Sequence, residues 1–190
     1  MAAGKFLATT SNDRSVGHRP LGIGIALGSN LGDRLEHLRR ARALICALPG
    51  IEPETCESAP IFETAPVGCE PGAAWFLNTV IEVRNRSPLA PHRLLAQLQE
   101  IEKNLGRTRT AARNSSRTID LDLLYVGDCR VHSATLMLPH PRLDQRRFVL
   151  APLAALRPAS VLPGLKVSVG ELLASLSDVP ATVRKFTEVW

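Results

Sequence analysis

The chain has 190 residues, 45% of them hydrophobic and 22% charged, with a formal net charge of +5. That length suits one domain with a sizeable core, and the composition excludes a disordered chain. No apolar run approaches the roughly 20 residues needed to span a bilayer, and residues 1–20 lack the long apolar stretch of a secretory signal, so a cytoplasmic protein with no membrane partner is expected. Cys46, Cys56, Cys69 and Cys129 show neither a C-x-x-C pair nor a histidine at ligand spacing. Free thiols are the simplest expectation, with Cys46 in the core.

Residues 1–20 mix Gly, Ser, Thr, Asn and single charges. They are expected to be an extension outside the fold, leaving 21–190 as a single domain. Residues 21–28 (LGIGIALG) are apolar and end in a turn, which predicts a buried strand. Asp33 followed by Glu36 has the form of a capping box. Behind it, Leu35, Leu38, Ala41, Ile45 and Leu48 recur at helical spacing until Pro49-Gly50. Residues 54–63 predict a second strand and 75–84 a third, with a loop containing Pro and Gly between them. Ser87-Pro88 is expected to open a second helix carrying Leu94, Leu95, Leu98, Ile101 and Leu105, closed by Gly106. Residues 118–126 predict a fourth strand, and further helices are expected over about 144–156 and 169–176. The order strand, helix, strand, strand, helix, strand predicts an α+β fold, a ferredoxin-like βαββαβ plait with C-terminal helical additions. Its helices would cover one face of an antiparallel sheet and leave the other face for ligands.

Asp120 and Asp122 stand two apart in the fourth strand, so both project from one face while Ile119, Leu121 and Leu123 project from the other. Adjacent carboxylates repel unless a cation lies between them. Mg²⁺ suits such a pair, because it takes one or two carboxylates and completes its shell with water and phosphate oxygens. Alone, the pair also fits two solvated side chains on an open sheet face. Immediately upstream, a polar loop carries Arg107, Arg109, Arg113 and Arg117. Guanidinium groups grip phosphate oxygens in pairs, and a mobile cationic loop can close over an anion. Carboxylates beneath arginines are what phosphoryl transfer from a magnesium nucleotide requires. Pro139-His140-Pro141-Arg142 and Arg146 add more cations downstream. Gly22, Gly24 and Gly28 lack dinucleotide-fingerprint spacing, and no P-loop sequence occurs, so side chains and metal would have to hold the phosphates.

Three segments together resemble one family. They are Gly28-Ser29-Asn30-Leu31-Gly32-Asp33, Arg117-Thr118-Ile119-Asp120-Leu121-Asp122-Leu123 and Pro139-His140-Pro141-Arg142. In this order they resemble the 6-hydroxymethyl-7,8-dihydropterin pyrophosphokinases over about residues 21–165. The resemblance implies diphosphate transfer from ATP to 6-hydroxymethyl-7,8-dihydropterin, with release of AMP, on the route to folate. It implies that Asp120 and Asp122 hold two Mg²⁺ ions. Glu102, Arg107, Arg117, His140 and Arg146 would bind ATP, and Arg107, Arg109 and Arg117 would act on the transferring group. The pterin would lie near Thr64, Ala65 and Val67, between Phe76 and Phe148, with Asn78 reading its edge. A flat heteroaromatic ring does need two π faces and an amide with both donor and acceptor. Some members carry Trp-Gly-Pro before the signature arginine and Lys where Thr110 stands. Here Asn114-Ser115-Ser116 replaces the aromatic, and an open 107–116 loop is expected without ligand.

Two other functions share the pattern. A palm-like nucleotidyltransferase also uses paired carboxylates on an antiparallel sheet, but it would release pyrophosphate rather than AMP. An RNA-binding plait would display aromatics on its central strands. With 4% aromatic residues and two aspartates on that face, nucleic acid is not expected as a partner. No protein partner is required by the sequence.

Overall fold

The structure is a computed structural model, and it describes residues 22–69, 72–86, 89–107, 115–176 and 183–190. The expected N-terminal extension, and Ser87, Pro88, Arg109, Thr110, Arg113 and Asn114, lie outside the described residues. The described elements form an α+β fold around an antiparallel sheet. In chain order they are β1 (Ile23–Ser29), α1 (Arg34–Cys46), β2 (Ile51–Ser58), β3 (Ile61–Thr64), β4 (Phe76–Asn85), α2 (Pro91–Asn104), β5 (Asp120–Val126), β6 (Val131–His132), β7 (Met137–Leu138), a 3₁₀ turn at Leu143–Gln145, α3 (Arg147–Leu156), α4 (Val169–Ser175) and β8 (Val183–Thr187).

The main sheet runs β5-β1-β4-β3-β8, with β2 also paired to β4. β4 sits at its centre, and β1 lies between it and the edge strand β5, antiparallel to both. Ile23, Ile25 and Leu27 of β1 join Ile119, Leu121 and Leu123 in a dry core with Leu38, Ile45, Leu94 and Leu98 of α1 and α2. This burial fixes the register of β5, because a slip of one residue would carry the aspartates into the apolar layer. Among the described residues, no helix is long and apolar enough to cross a membrane.

The predicted second strand divides. β2 and β3 lie end to end along β4, and Pro60 between them has no N–H for the ladder. At the break Ala59 N donates to Val80 O at 2.8 Å, and Thr79 Oγ1 donates to Ala59 O at 3.0 Å. The second helix starts later than expected, with Pro91 in its first turn, the position where a missing N–H costs nothing. Asp33 caps α1, its Oδ1 accepting from Glu36 N at 3.0 Å, one half of the expected capping box.

Three expectations need correction. Helices occupy more than one face, because α3 and α4 pack over part of the second face through Val149, Leu150, Leu153 and Val169 against Val80, Leu124 and Tyr125. Only the part of that face holding Gly28, Asn78, Asp120 and Asp122 stays open. The chain also returns to the sheet after its last helix as β8, which pairs with β3; five residues with mixed exposure gave no clear period. Finally, Cys46 and Cys56 are not free thiols but are joined sulfur to sulfur, with Cα atoms 6.3 Å apart. The turn at Leu48–Gly50 brings the end of α1 alongside β2, a proximity that cysteine spacing alone does not reveal.

The glycines of β1 have packing roles. A Cβ on Gly24 would come within 2.3 Å of the Tyr125 ring, and one on Gly28 within 2.7 Å of Asn78 Oδ1. The first lets Tyr125 lie across β1, where its hydroxyl donates to buried Glu82 at 2.7 Å. Arg157, just past α3, donates to the same carboxylate through Nε at 3.1 Å and to Glu57 at 3.0 Å. The tie fastens the end of α3 to the sheet. Burial first, then the neighbouring Glu82, pushes the Tyr125 hydroxyl well above its ordinary value.

Candidate active site

Asp120 and Asp122 share the face opposite Leu121 and Leu123, as their spacing predicts. Opposite them on β1 stand Gly28 and Ala26, and beyond Gly28 on β4 stands Asn78. Small residues on β1 therefore leave a trough between the carboxylates and Asn78. The trough opens into a cleft of about 240 Å³ lined by Thr64, Phe76, Asn78, Phe148, both aspartates and several arginines.

One end of the cleft is ionic. Arg117 Nη1 donates to Asp120 Oδ2 at 2.7 Å, and Arg107 Nη1 donates to Asp120 Oδ1 at 2.6 Å. Arg146 Nη1, at the start of α3, donates to Asp122 Oδ2 at 3.0 Å. The Asp120 and Asp122 side chains keep 27% and 36% of their surface exposed. Burial, then the like charge of Asp122, raises the Asp120 carboxyl above its ordinary value, while Arg117 and Arg107 oppose the shift. Two neighbouring, half-buried carboxylates are a good fit for a hard divalent cation. Among the described residues no cluster of three or more His, Cys, Asp or Glu could hold a metal, so any such ion would need substrate oxygens and water to complete its shell.

Glu102 sits behind this end rather than in the cleft. It is 3% exposed; its Oε1 accepts from Leu121 N at 2.8 Å and also from Arg107. It thus joins α2 to the strand that bears the aspartates and holds Arg107 over Asp120. Asn30 does comparable work from the turn after β1. Its Oδ1 accepts from Arg117 N at 2.7 Å, and its Nδ2 donates to Ser116 Oγ at 3.0 Å and Ala74 O at 3.3 Å.

The other end is neutral. Asn78 and Thr64 are buried, and Asn78 Nδ2 donates to Thr64 Oγ1 at 2.7 Å. Phe76 and Phe148 both line the cleft, with the guanidinium of Arg117 5.9 Å from the first ring and that of Arg146 5.5 Å from the second. Ala65 and Val67 line it as well. Of the residues singled out from sequence, Thr64, Ala65, Val67, Phe76, Asn78, Arg107, Arg117, Asp120, Asp122, Arg146 and Phe148 converge here.

His140 faces a second cavity of about 320 Å³, lined also by Leu95, Leu136, Met137 and Asp122. Asp122 is thus common to both spaces. Burial holds the His140 imidazole below its ordinary value of 6.5, with Asp122 pulling the other way. Its Nδ1 accepts from Arg142 N at 3.2 Å. Arg142, counted among the downstream cations in the sequence, lines the main cleft, as does Cys69, to which sequence reasoning gave no role there. Arg142 has no carboxylate partner among the described residues. Its place beside His140 in the Pro-His-Pro-Arg segment was the available signal.

Residues 24–158 match the sequence model of the family described as 7,8-dihydro-6-hydroxymethylpterin-pyrophosphokinase (HPPK). The chain belongs to the HPPK family. It is 45% identical over 130 residues to the 2-amino-4-hydroxy-6-hydroxymethyldihydropteridine pyrophosphokinase of Bacillus subtilis, a match covering 68% of this chain and 74% of that one. It is also 45% identical over 131 residues to the mitochondrial folate synthesis bifunctional protein of Pisum sativum, but there spans only 24% of the relative. Among solved structures, an HPPK-DHPS in complex with substrates superimposes with a TM-score of 0.63 at 13% identity, covering 83% of this chain and 43% of the other. That likeness establishes a shared fold. Every cleft residue named above lies within the HPPK match, whereas α4 and β8 lie beyond it.

Proposed function

We propose that this cleft transfers the diphosphate of ATP to the hydroxymethyl group of 6-hydroxymethyl-7,8-dihydropterin, giving AMP and the pterin diphosphate. HPPK membership makes the chain a pyrophosphokinase of folate biosynthesis. The observation that carries the mechanism is the joining of two unlike ends in one cleft, with Asp120 and Asp122 under three arginines at one end and Asn78 between Thr64 and two phenylalanines at the other.

The neutral end fits the pterin. Asn78 and Thr64 offer donor and acceptor atoms to a ring edge, while Phe76 and Phe148 offer π faces. ATP would enter from the side of His140, with its base in the second cavity and its phosphates crossing Asp122. Asp120 and Asp122 would hold Mg²⁺, two ions by the family resemblance, which when bound neutralises triphosphate charge and makes the phosphorus more electrophilic. The three arginines now paired with these carboxylates would then turn to the phosphate oxygens. The hydroxymethyl oxygen attacks the β-phosphorus, and the bond from that phosphorus to the oxygen bridging to the α-phosphate breaks. The bridging oxygen leaves with AMP, and the hydroxyl proton passes to solvent. His140, kept neutral by burial, is suited to donate a hydrogen bond from Nε2. Glu102 acts through Arg107 in this scheme, and Arg109 from the adjoining loop would add charge to the transferring group.

The sheet order also supports reading the core as a ferredoxin-like plait, with β2 and β3 together as its second strand and β8 as an added edge. The reaction is tested by incubating the chain with Mg-ATP and 6-hydroxymethyl-7,8-dihydropterin and identifying the nucleotide product. AMP in equal amount to pterin diphosphate is expected. ADP, or free pyrophosphate with an incorporated nucleoside, would overturn the assignment.

A further inference from the structure

Glu63 lies in β3 directly before Thr64 and is 7% exposed. Two arginines from distant parts of the chain converge on it. Arg34, in the first turn of α1, donates from Nη1 to Glu63 Oε1 at 2.9 Å. Arg184, in β8, donates from Nε to Glu63 Oε2 at 2.9 Å. The same Arg34 nitrogen donates to the backbone oxygen of Trp75 at 2.7 Å, and the Arg184 guanidinium lies 5.0 Å from the centre of the Trp75 ring. Hydrogen bonding from Arg184 first, then from Arg34, holds the Glu63 carboxyl below its ordinary value against the effect of burial.

Glu63 and Trp75 flank the two ends of the segment that joins β3 to β4. At one end Glu63 precedes Thr64, Ala65 and Val67; at the other Trp75 precedes Phe76 and Asn78. All five of those neighbours line the neutral end of the cleft. None of the three charged side chains lines the cleft. The cluster therefore ties together the two strand ends that set the spacing of Thr64, Asn78 and Phe76. Buried charges are expensive unless fully paired, so a carboxylate shared by two arginines is a stiff clamp for this purpose. One of its jaws comes from β8, which lies outside the HPPK match.

We propose that Glu63, clamped by Arg34 and Arg184, is a positioning residue for the pterin half of the site, and that β8 thereby tunes pterin affinity without touching the substrate. This rests on the pterin assignment above. The test measures kcat, the KM for ATP and the KM for pterin in Glu63→Gln and Arg184→Ala, together with pterin Kd in the absence of nucleotide, read by fluorescence. Glu63→Gln is expected to raise pterin KM and Kd about ten-fold, with kcat and ATP KM within about two-fold of wild type, the signature of lost ground-state binding. Arg184 is 65% exposed in its side chain, so Arg184→Ala should fold even if Glu63→Gln does not. It is expected to raise pterin KM about three-fold, and Arg184→Lys should not restore it, because lysine cannot make the forked contact. Unchanged pterin KM and Kd in Arg184→Ala, or an equal loss for ATP and pterin, would overturn the inference. Wild-type chain that fails to bind the pterin at all would instead overturn the pterin assignment and carry this inference with it.

Discussion

The two ends of the cleft differ in how they are held. At the neutral end, Asn78 is hydrogen-bonded to Thr64 and Gly28 leaves room for the amide, so the surface proposed to hold the pterin ring is already formed. At the ionic end, Asp120 and Asp122 are occupied by Arg107, Arg117 and Arg146. On the proposed mechanism these pairs would separate for metal and triphosphate to bind. On the same mechanism, affinity for pterin would rest on fixed shape, and catalysis on charges exchanging partners. Substitutions at the ionic end should lower kcat, and substitutions at the neutral end should raise KM.

The largest effect is expected from Asp122→Ala. The fold should survive, because the side chain faces the cleft, while turnover falls about a thousand-fold or more, the scale seen when a principal electrostatic contact is removed; circular dichroism and AMP release check both halves. Arg117→Ala should lower kcat about a hundred-fold with a smaller change in pterin KM, sharpening the contrast between the ends. Asn78→Ala should do the reverse, raising pterin KM about ten-fold through a lost buried hydrogen bond while kcat at saturation stays close to wild type. If Asn78→Ala lowered kcat as strongly as Arg117→Ala, the division between the ends would fail.

The smallest effect concerns pH. His140 has a folded-state value below the ordinary 6.5, so as pH falls through 6.5 the unfolded chain takes up this proton first. Stability then drops until the lowered folded-state value is reached. His140→Gln should flatten that slope, and melting temperatures recorded across this interval would show it. Glu63 provides a contrast at lower pH. Its carboxyl is held below the ordinary 4.5, so its contribution is present above 4.5 and is lost as pH falls through the folded-state value.

The ionic end was legible in the sequence because its chemistry is local. Asp120 and Asp122 lie two apart on one strand, and period-two geometry alone puts them on one face. Arg107 and Arg117 are close in sequence and meet on Asp120. The neutral end was legible only through family resemblance, since Thr64, Phe76, Asn78 and Phe148 come from three elements and any of them could have been core. β1 and β4 were readable as apolar runs buried along most of their length, α1 through the helical spacing of Leu38, Ala41 and Ile45, and β5 through the alternation at its start. The break at Pro60 and the late start of α2 turned on proline positions that admit more than one local structure. β8, the Cys46–Cys56 link and the Glu63 clamp depend on contacts between distant segments, which no local pattern encodes.

The central claim is that the two aspartates exchange their arginines for metal and nucleotide. Replacing Mg²⁺ with Mn²⁺ allows this to be followed directly by paramagnetic resonance in the presence of a non-hydrolysable ATP analogue. Wild-type chain should bind Mn²⁺ together with the nucleotide, and Asp122→Asn, still folded and still binding pterin, should lose that binding. Equal Mn²⁺ and nucleotide affinity in the two proteins would contradict the account.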